Sequence, residues 1–273
     1  MPLTARRHVR KMRGGAQSHL LEADDGNFYV VKFVNNPQHR RILVNELVSA
    51  VFLNYLQIPS AAAEIILLTP EFLAANPEIF IHLGKQRIPV APGWHFGSRH
   101  PGNPDTMAVY DFVPDTLLSG ISNLPDFLAV LVFDKWMANA DGRQCIFFRA
   151  RVEDWQAVVR RAFVAVMIDH GFVFNGPNWE FSDSPLQGMY PRKLVYDRVR
   201  SIDDFQPCLD QVVHFPEAVV DRAFRRIPPE WIEGEEDQFE QLLEKLLRRR
   251  PRVPDLLYEA RGSRVNPFPK WVE

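Results

Sequence analysis

The first part of the chain alternates between short apolar runs and turn residues, a pattern that predicts strands. Residues 19–23 and 27–34 lie on either side of Asp24-Asp25-Gly26, and an Asp-Gly turn between such runs favours a hairpin. Alternation along the second run places Lys32 on one face of its strand, between two valines. Ahead of the hairpin, residues 12–18 predict a loop that contains two glycines.

A helical pattern follows, and then a region of mixed character. Apolar residues at helical spacing predict a helix from Arg41 to Gln57, with Glu46 in its first turns. Ala63 to Leu68 and Met107 to Val113 predict strands. The stretch 89–104 between them is rich in Gly and Pro and predicts a loop.

A long apolar stretch near the middle of the chain predicts a helix, and beyond Tyr190 the pattern is helical. A helix capped by Asn123 and running to about Ala138 is apolar nearly all round, so it should be buried. Further helices are expected at Ile202–Val213, Pro216–Arg226 and Glu235–Arg249, and residues 262–273 are expected to form a tail.

Two strand-like runs in the middle of the chain each have an aspartate at one end. Gln144 to Ala150 and Ala162 to Asp169 predict the two arms of a hairpin. Antiparallel pairing places the start of the first arm beside the end of the second. Asp141, just before the first arm, and Asp169 would then face one cleft. Two carboxylates in such a place suit phosphoryl transfer, in which one orients the attacking hydroxyl and the other holds Mg²⁺.

Composition narrows the class of protein. Lys plus Arg is 32 and Asp plus Glu is 34 in a chain of 273 residues, and this balance argues against a nucleic-acid binder that works by bulk charge. The basic start has no apolar segment after it, and no run approaches the length of a membrane helix. Cys145 and Cys208 form no metal-ligand spacing, which suits a reducing compartment. A soluble, cytoplasmic protein with no membrane contact is expected.

The order of the elements predicts an α+β fold with two lobes. Residues 1–113 would form a strand-rich N-terminal lobe, and residues 114–273 a helix-rich C-terminal lobe. The seam would fall near Tyr110 to Leu118.

The chain resembles the HipA-like kinases, whose plan is close to that of the phosphatidylinositol kinases. The segments that carry the resemblance span about 1–200 and are Tyr29-Val30-Val31-Lys32-Phe33, Asn45-Glu46-Leu47-Val48, His95-Phe96-Gly97-Ser98, Asn139-Ala140-Asp141 and Ile168-Asp169-His170-Gly171. The resemblance implies a two-lobed protein-kinase-like fold. It also implies a kinase that uses ATP and Mg²⁺ and transfers the γ-phosphoryl group to a hydroxyl acceptor, such as a protein Ser or Thr.

The resemblance also implies a role for each matching residue. Lys32 would contact the phosphates of ATP, and Glu46 would pair with it. Asp141 would be the catalytic aspartate, and Asp169 would bind the metal. The loop that covers the phosphates would contain Gly14, Gly15 and Ser18.

The chain departs from the family pattern at three places. Where the family commonly has a metal-binding Asn, five residues after the catalytic Asp, the chain has Ile146. Gln144 or Asn139 could supply a side-chain oxygen instead; otherwise the site holds one metal or the kinase is weak or inactive. The Gly-containing loop falls short of a full G-x-G-x-x-G. The N-terminal subdomain of larger members is expected to be absent, because the loop starts near residue 13.

Two other functions remain open at this point. The first is a nucleotide-binding pseudokinase or regulatory interaction module without turnover, which Ile146 and the short Gly loop favour. The second is a metal-dependent hydrolase that uses the same two aspartates, for which the extra His and Asp ligands are missing. The sequence does not distinguish a protein acceptor from a small molecule. It also leaves open whether Arg143 neutralises phosphate or holds its loop.

Overall fold

The computed structural model describes residues 2–153 and 159–272. Its strands are β1 Leu3–Lys11, β2 His19–Ala23, β3 Phe28–Lys32, β4 Ala63–Leu68, β5 Phe80–Leu83, β6 Gln86–Pro89, β7 Gly93–Arg99, β8 Gln144–Glu153 and β9 Val159–Ile168. Its α-helices are α1 Arg41–Tyr55, α2 Pro70–Ala75, α3 Asp115–Leu118, α4 Asp126–Trp136, α5 Cys208–Val213, α6 Glu217–Arg226, α7 Pro229–Ile232, α8 Glu236–Arg249 and α9 Val253–Gly262. Short 3₁₀ helices occur at Val173–Asn178, Lys193–Tyr196, Ile202–Phe205 and Arg250–Arg252.

Five strands close into a small barrel in the order β1-β2-β3-β7-β4. The predicted hairpin is confirmed as β2 and β3, and β1 closes the barrel by pairing in parallel with β4. The sequence analysis did not predict β1. The arginines of β1 make its alternation of buried and exposed residues difficult to recognise in the sequence. Ala5 packs in the barrel core, while Arg7 pairs with Glu22 on the surface.

The prediction of a loop at 89–104 was wrong, because Gly93–Arg99 is the strand β7, which pairs with both β3 and β4. Gly97 explains the error. A β-carbon at this position would lie 2.6 Å from Cγ1 of Ile66, so the glycine permits a close approach of strands and does not mark a turn.

The second hairpin is confirmed as β8 and β9, with Gln144 opposite Ile168 and Ile146 opposite Val166. The prediction of a strand at 107–113 was wrong. Only Tyr110 pairs, exchanging both backbone hydrogen bonds with Phe147 of β8. The rest of that segment finds no neighbouring strand within the described ranges, so it forms no ladder.

The helices pack around α1 and α4 in one apolar core that also includes the inner face of the β8–β9 hairpin. The expected helices at 41–57, 216–226 and 235–249 are confirmed to within two residues. The helix expected at 202–213 is interrupted, because Pro207 lacks an N–H and restricts Gln206 to extended backbone. Residues 262–273 were expected to form a tail, but two of them, Phe268 and Trp271, are buried in the core.

Asn123 is not the N-cap of α4, which Pro125 precedes directly. The Asn123 side chain instead exchanges two hydrogen bonds with the backbone of Ala165 in β9.

The fold as a whole is α+β, with a barrel followed by helices. The division into lobes at residue 113 stays a prediction. No helix in residues 2–153 and 159–272 is long and apolar enough to cross a membrane.

Candidate functional site

Lys32, Glu46 and Asp169 meet in one buried cluster. Lys32 is the last residue of β3, and its Nζ donates to Oε1 of Glu46 and, over 2.7 Å, to Oδ1 of Asp169. The strand alternation turns Lys32 away from the barrel core and toward α1, where Glu46 is buried among apolar neighbours. Two consecutive elements, β3 and α1, and the distant end of β9 thus bring one amine and two carboxylates together.

The charges of Lys32 and Asp169 stabilise one another, whereas burial and the nearby carboxylate of Asp169 raise the pKa of Glu46. Burial opposes the positive charge of Lys32, but the carboxylates of Glu46 and Asp169 outweigh it and hold the pKa of the amine above its ordinary value. Burial likewise opposes the charge of Asp169, but the ammonium of Lys32 outweighs it and holds the pKa of that carboxyl below its ordinary value. Both groups are therefore charged at neutral pH.

Asp141 lies in the short loop between α4 and β8, and its side chain is exposed. Its backbone N–H donates to Oδ1 of Asn139 over 3.2 Å, and its own carboxylate accepts from the backbone N–H of Gly142. Nε2 of Gln144 donates to Oδ2 of Asp141 over 3.1 Å. These local bonds explain why Asn and Asp occupy this turn.

The register of the hairpin places Gln144 beside Asp169. Gln144 lies opposite Ile168, the residue that precedes Asp169, and it contacts Asp141 through its side chain. Ile146 lies on the same strand face, opposite Val166 and two residue pairs farther from Asp169. An amide at position 144 is thus nearer to the aspartates than one at 146 would be.

The loop with Gly14, Gly15 and Ser18 connects β1 to β2. The N–H of Met12 donates to the carbonyl of Ser18, which closes the loop, and Gly14 has a left-handed φ of 122°. Both glycines are exposed. The assignment of this loop to phosphates stays a prediction.

The sequence analysis gave no role to Asn45 and Asp134 and left two roles open for Arg143. All three side chains are almost fully inaccessible to solvent. Their signal in the sequence is weak, because an Asn, an Asp and an Arg each occur commonly on solvated faces.

The polar residues fit a divalent cation that is bound together with a phosphate chain. Asp169 is 35% exposed, and Gln144 is exposed at the start of β8, so both can offer hard oxygen ligands of the kind that Mg²⁺ prefers. Among the described residues, no group of three His, Cys, Asp or Glu side chains could hold a metal ion alone. A metal here would draw its remaining ligands from phosphate oxygens and water.

Comparison with solved structures places the chain in the protein-kinase-like fold. The crystal structure of a Golgi casein kinase with Mn/ADP bound aligns with a TM-score of 0.53 and 13% sequence identity, over 96% of this chain and 74% of that chain. A second crystal structure of the Golgi casein kinase aligns with a TM-score of 0.54 and 13% identity, over 96% and 73% of the two chains. At 13% sequence identity, this similarity shows a shared fold and nothing more.

The sequence model of the HipA-like kinase family matches residues 7–250, so the chain belongs to that family. This confirms the resemblance that the motifs carried. No curated protein sequence matches the chain.

Proposed function

We propose that this HipA-like kinase uses Mg²⁺ and ATP and transfers the γ-phosphoryl group to a hydroxyl acceptor, such as the side chain of a protein Ser or Thr. The contact that carries the proposal is the one from Lys32 Nζ to both Glu46 and Asp169. A buried amine with two carboxylates is suited to neutralise phosphate on one side and to adjoin a metal on the other.

Each residue has its own task in this proposal. Glu46 holds the Lys32 ammonium toward the phosphates, where it offsets the charge that develops on the leaving oxygen. Asp141, exposed on its loop, accepts the proton of the attacking hydroxyl as the oxygen–phosphorus bond forms and the bond to ADP breaks. Gly14, Gly15 and Ser18 cover the phosphates.

Asp169 and Gln144 would hold the metal. Their carboxylate and amide oxygens fit Mg²⁺, and the register that sets Gln144 beside Ile168 supports this pair over position 146. When bound, the cation would neutralise the phosphate oxygens during transfer. The Golgi casein kinase structure with Mn/ADP supports use of a nucleotide with a divalent metal.

A pseudokinase that binds nucleotide without turnover is the second candidate, and Ile146 favours it. This residue lies on the strand face it shares with Gln144 and offers no metal ligand. The two candidates differ in chemistry but share the nucleotide site, so binding and transfer must be measured separately.

The test is calorimetric titration of the purified protein with ATP, in Mg²⁺ and in EDTA, together with an assay of ADP release and of autophosphorylation. We expect tighter binding in Mg²⁺, loss of that gain in Asp169→Asn, and loss of transfer with retained binding in Asp141→Asn. Asp221→Asn, at an exposed position on α6, is the matched control. Binding without transfer to any acceptor would favour the pseudokinase, and no binding at all would refute both candidates.

A further inference from the structure

Asp169 has an unusual backbone. Its φ is 58°, in the left-handed region that non-glycine residues rarely occupy. Such strained conformations persist only where the surroundings fix them, and they occur often at functional sites. What fixes Asp169 therefore bears directly on its function.

Buried charged side chains hold the peptide groups on both sides of Asp169. Before it, the carbonyl of Ile168 accepts from Nη1 of Arg143 over 3.0 Å. After it, the N–H of His170 donates to Oε2 of Glu46 over 3.0 Å. Glu46 is assigned a role through Lys32, whereas Arg143 has none in the proposed chemistry.

Arg143 is itself held rigidly. Its Nε donates to Oδ2 of Asp134 over 2.8 Å, and its Nη2 donates to Oδ1 of the same carboxylate. Nη1 also donates to Nδ1 of His170 over 2.9 Å. Because an arginine only donates, Nδ1 must be the acceptor, and the proton of the neutral ring is on Nε2.

The same carboxylate also contacts the loop of the second aspartate. Oδ1 of Asp134 accepts from Nδ2 of Asn139 over 3.0 Å, and Oδ1 of Asn139 accepts from the N–H of Asp141 over 3.2 Å. One buried ion pair thus connects the backbone of Asp169 to the backbone of Asp141. The side chains of Asp134 and Arg143 are both 0% exposed, so neither can touch a nucleotide.

We infer that Arg143, held by Asp134, is a positioning residue that keeps Asp169 in its metal-binding conformation and fixes it relative to Asp141. This rests on the proposed function, since it assumes that Asp169 binds the metal. The guanidinium is required in particular, because it holds Asp134, Ile168 and His170 at once through three different nitrogens. A lysine would keep the positive charge but could not make the several hydrogen bonds that the planar guanidinium makes at once.

The test compares Arg143→Lys with Arg249→Lys. Arg249 is the control because its guanidinium is also mostly buried and also pairs with an aspartate, Asp183. It donates to the carbonyls of Lys135 and Trp136 at the end of α4 and, among the described residues, makes no hydrogen bond to Ile168, Asp169 or His170. The ATP dissociation constant is measured in EDTA and in Mg²⁺. We expect Arg143→Lys to keep the affinity for ATP in EDTA. The increase in ATP affinity on adding Mg²⁺ should be at least tenfold smaller than in the unaltered protein. Arg249→Lys should keep that gain.

A second variant covers the case in which Arg143→Lys does not fold. Asp134→Asn combined with Arg143→Gln removes both charges together and leaves no buried charge without a partner; it should fold and show the same loss of the Mg²⁺ gain. A folded variant of either kind with the full gain would overturn the inference. So would a crystal structure of the unaltered protein with Asp169 at negative φ. If the unaltered protein shows no Mg²⁺ gain, the proposed function fails instead.

Discussion

Nδ2 of Asn45 donates to the carbonyl of Gly171 over 2.7 Å, and this bond attaches α1 to the segment directly after Asp169. The same nitrogen lies 3.0 Å from the carbonyls of Val173 and Gly176. Oδ1 of Asn45 accepts from the indole N–H of Trp179 over 2.9 Å. The next residue, Glu46, contacts Lys32 and His170. Two consecutive residues of α1 therefore hold the Lys32–Asp169 cluster and the backbone that follows Asp169.

We expect Asn45→Ala to lower the free energy of unfolding by about 2–4 kcal/mol, because it leaves several buried carbonyls and an indole N–H without their partner. Urea denaturation measures this change. Asn54→Ala is the control, since Asn54 lies on the exposed side of the same helix, and its effect should stay within about 0.5 kcal/mol. Equal effects at the two positions would contradict the assignment.

Gln144→Ala should raise the Mg²⁺ concentration for half-maximal nucleotide binding by about tenfold, because the exposed amide would be lost as a metal ligand. Stability should hardly change, since the side chain is exposed. Calorimetry at fixed ATP with increasing Mg²⁺ provides the measurement.

Ile146→Asn, made in the Gln144→Ala background, is the companion to this experiment. An asparagine at 146 lies opposite Val166, two residue pairs farther from Asp169 than position 144, so it should not restore the Mg²⁺ dependence. Restoration would show that 146 is the ligand position and that Ile146 marks a lost metal site.

The sequence predicted those parts of the fold in which local pattern and tertiary contact agree. The β2–β3 hairpin has an Asp-Gly turn, and α1 has helical spacing of apolar residues, so both were found with nearly correct ends. β7 was missed because its glycines resemble a loop until the approach of Ile66 is seen. β1 was missed because five basic residues lie in or just after it.

The same reasoning applies to the candidate site. Lys32, Glu46 and Asp169 could be found because each occurs in a short pattern of a recognisable family. Asp134 could not, and the role of Arg143 stayed open, because the importance of both depends on burial, and burial depends on how α4 packs behind both loops. A charged residue in a sequence does not indicate whether water surrounds it.

Gly188→Ala should destabilise the protein by about 2–4 kcal/mol. Gly188 has a φ of 73°, and a β-carbon there would collide with the Cβ of Asp134, so strain and overpacking act together. Thermal or urea unfolding measures the loss. Gly262→Ala is the control, because its φ is not left-handed and no atom beyond its chain neighbours and its own helix lies within 4 Å of a β-carbon there. If Gly188→Ala were as mild as Gly262→Ala, the packing of the loop against Asp134 would be wrong.

His95 makes stability depend on pH. Its ring is fully buried, with Nδ1 accepting from the N–H of Val34 over 3.0 Å and Nε2 lying 3.0 Å from the carbonyl of Ala91, to which it donates. These bonds fix the neutral ring, and burial lowers the pKa of His95 to about 4. In the unfolded chain the ring has its ordinary pKa of about 6.5. Below that pH the unfolded state therefore binds a proton that the folded state does not bind, and stability falls as the pH falls from about 6.5 toward 4.

The expected contribution of His95 is a loss of about 1 kcal/mol for each pH unit in this window. Urea unfolding of the unaltered protein and of His95→Gln, at several pH values from 7.5 down to 5, measures it. Burial also lowers the pKa of His19 to about 4, so a residual slope of the same sign should persist in the variant. Above pH 7, where the imidazole is neutral in both states, the two proteins should show the same slope. An unchanged slope below pH 6.5 in His95→Gln would mean that the ring takes up its proton in the folded state, and that the two hydrogen bonds do not hold it neutral.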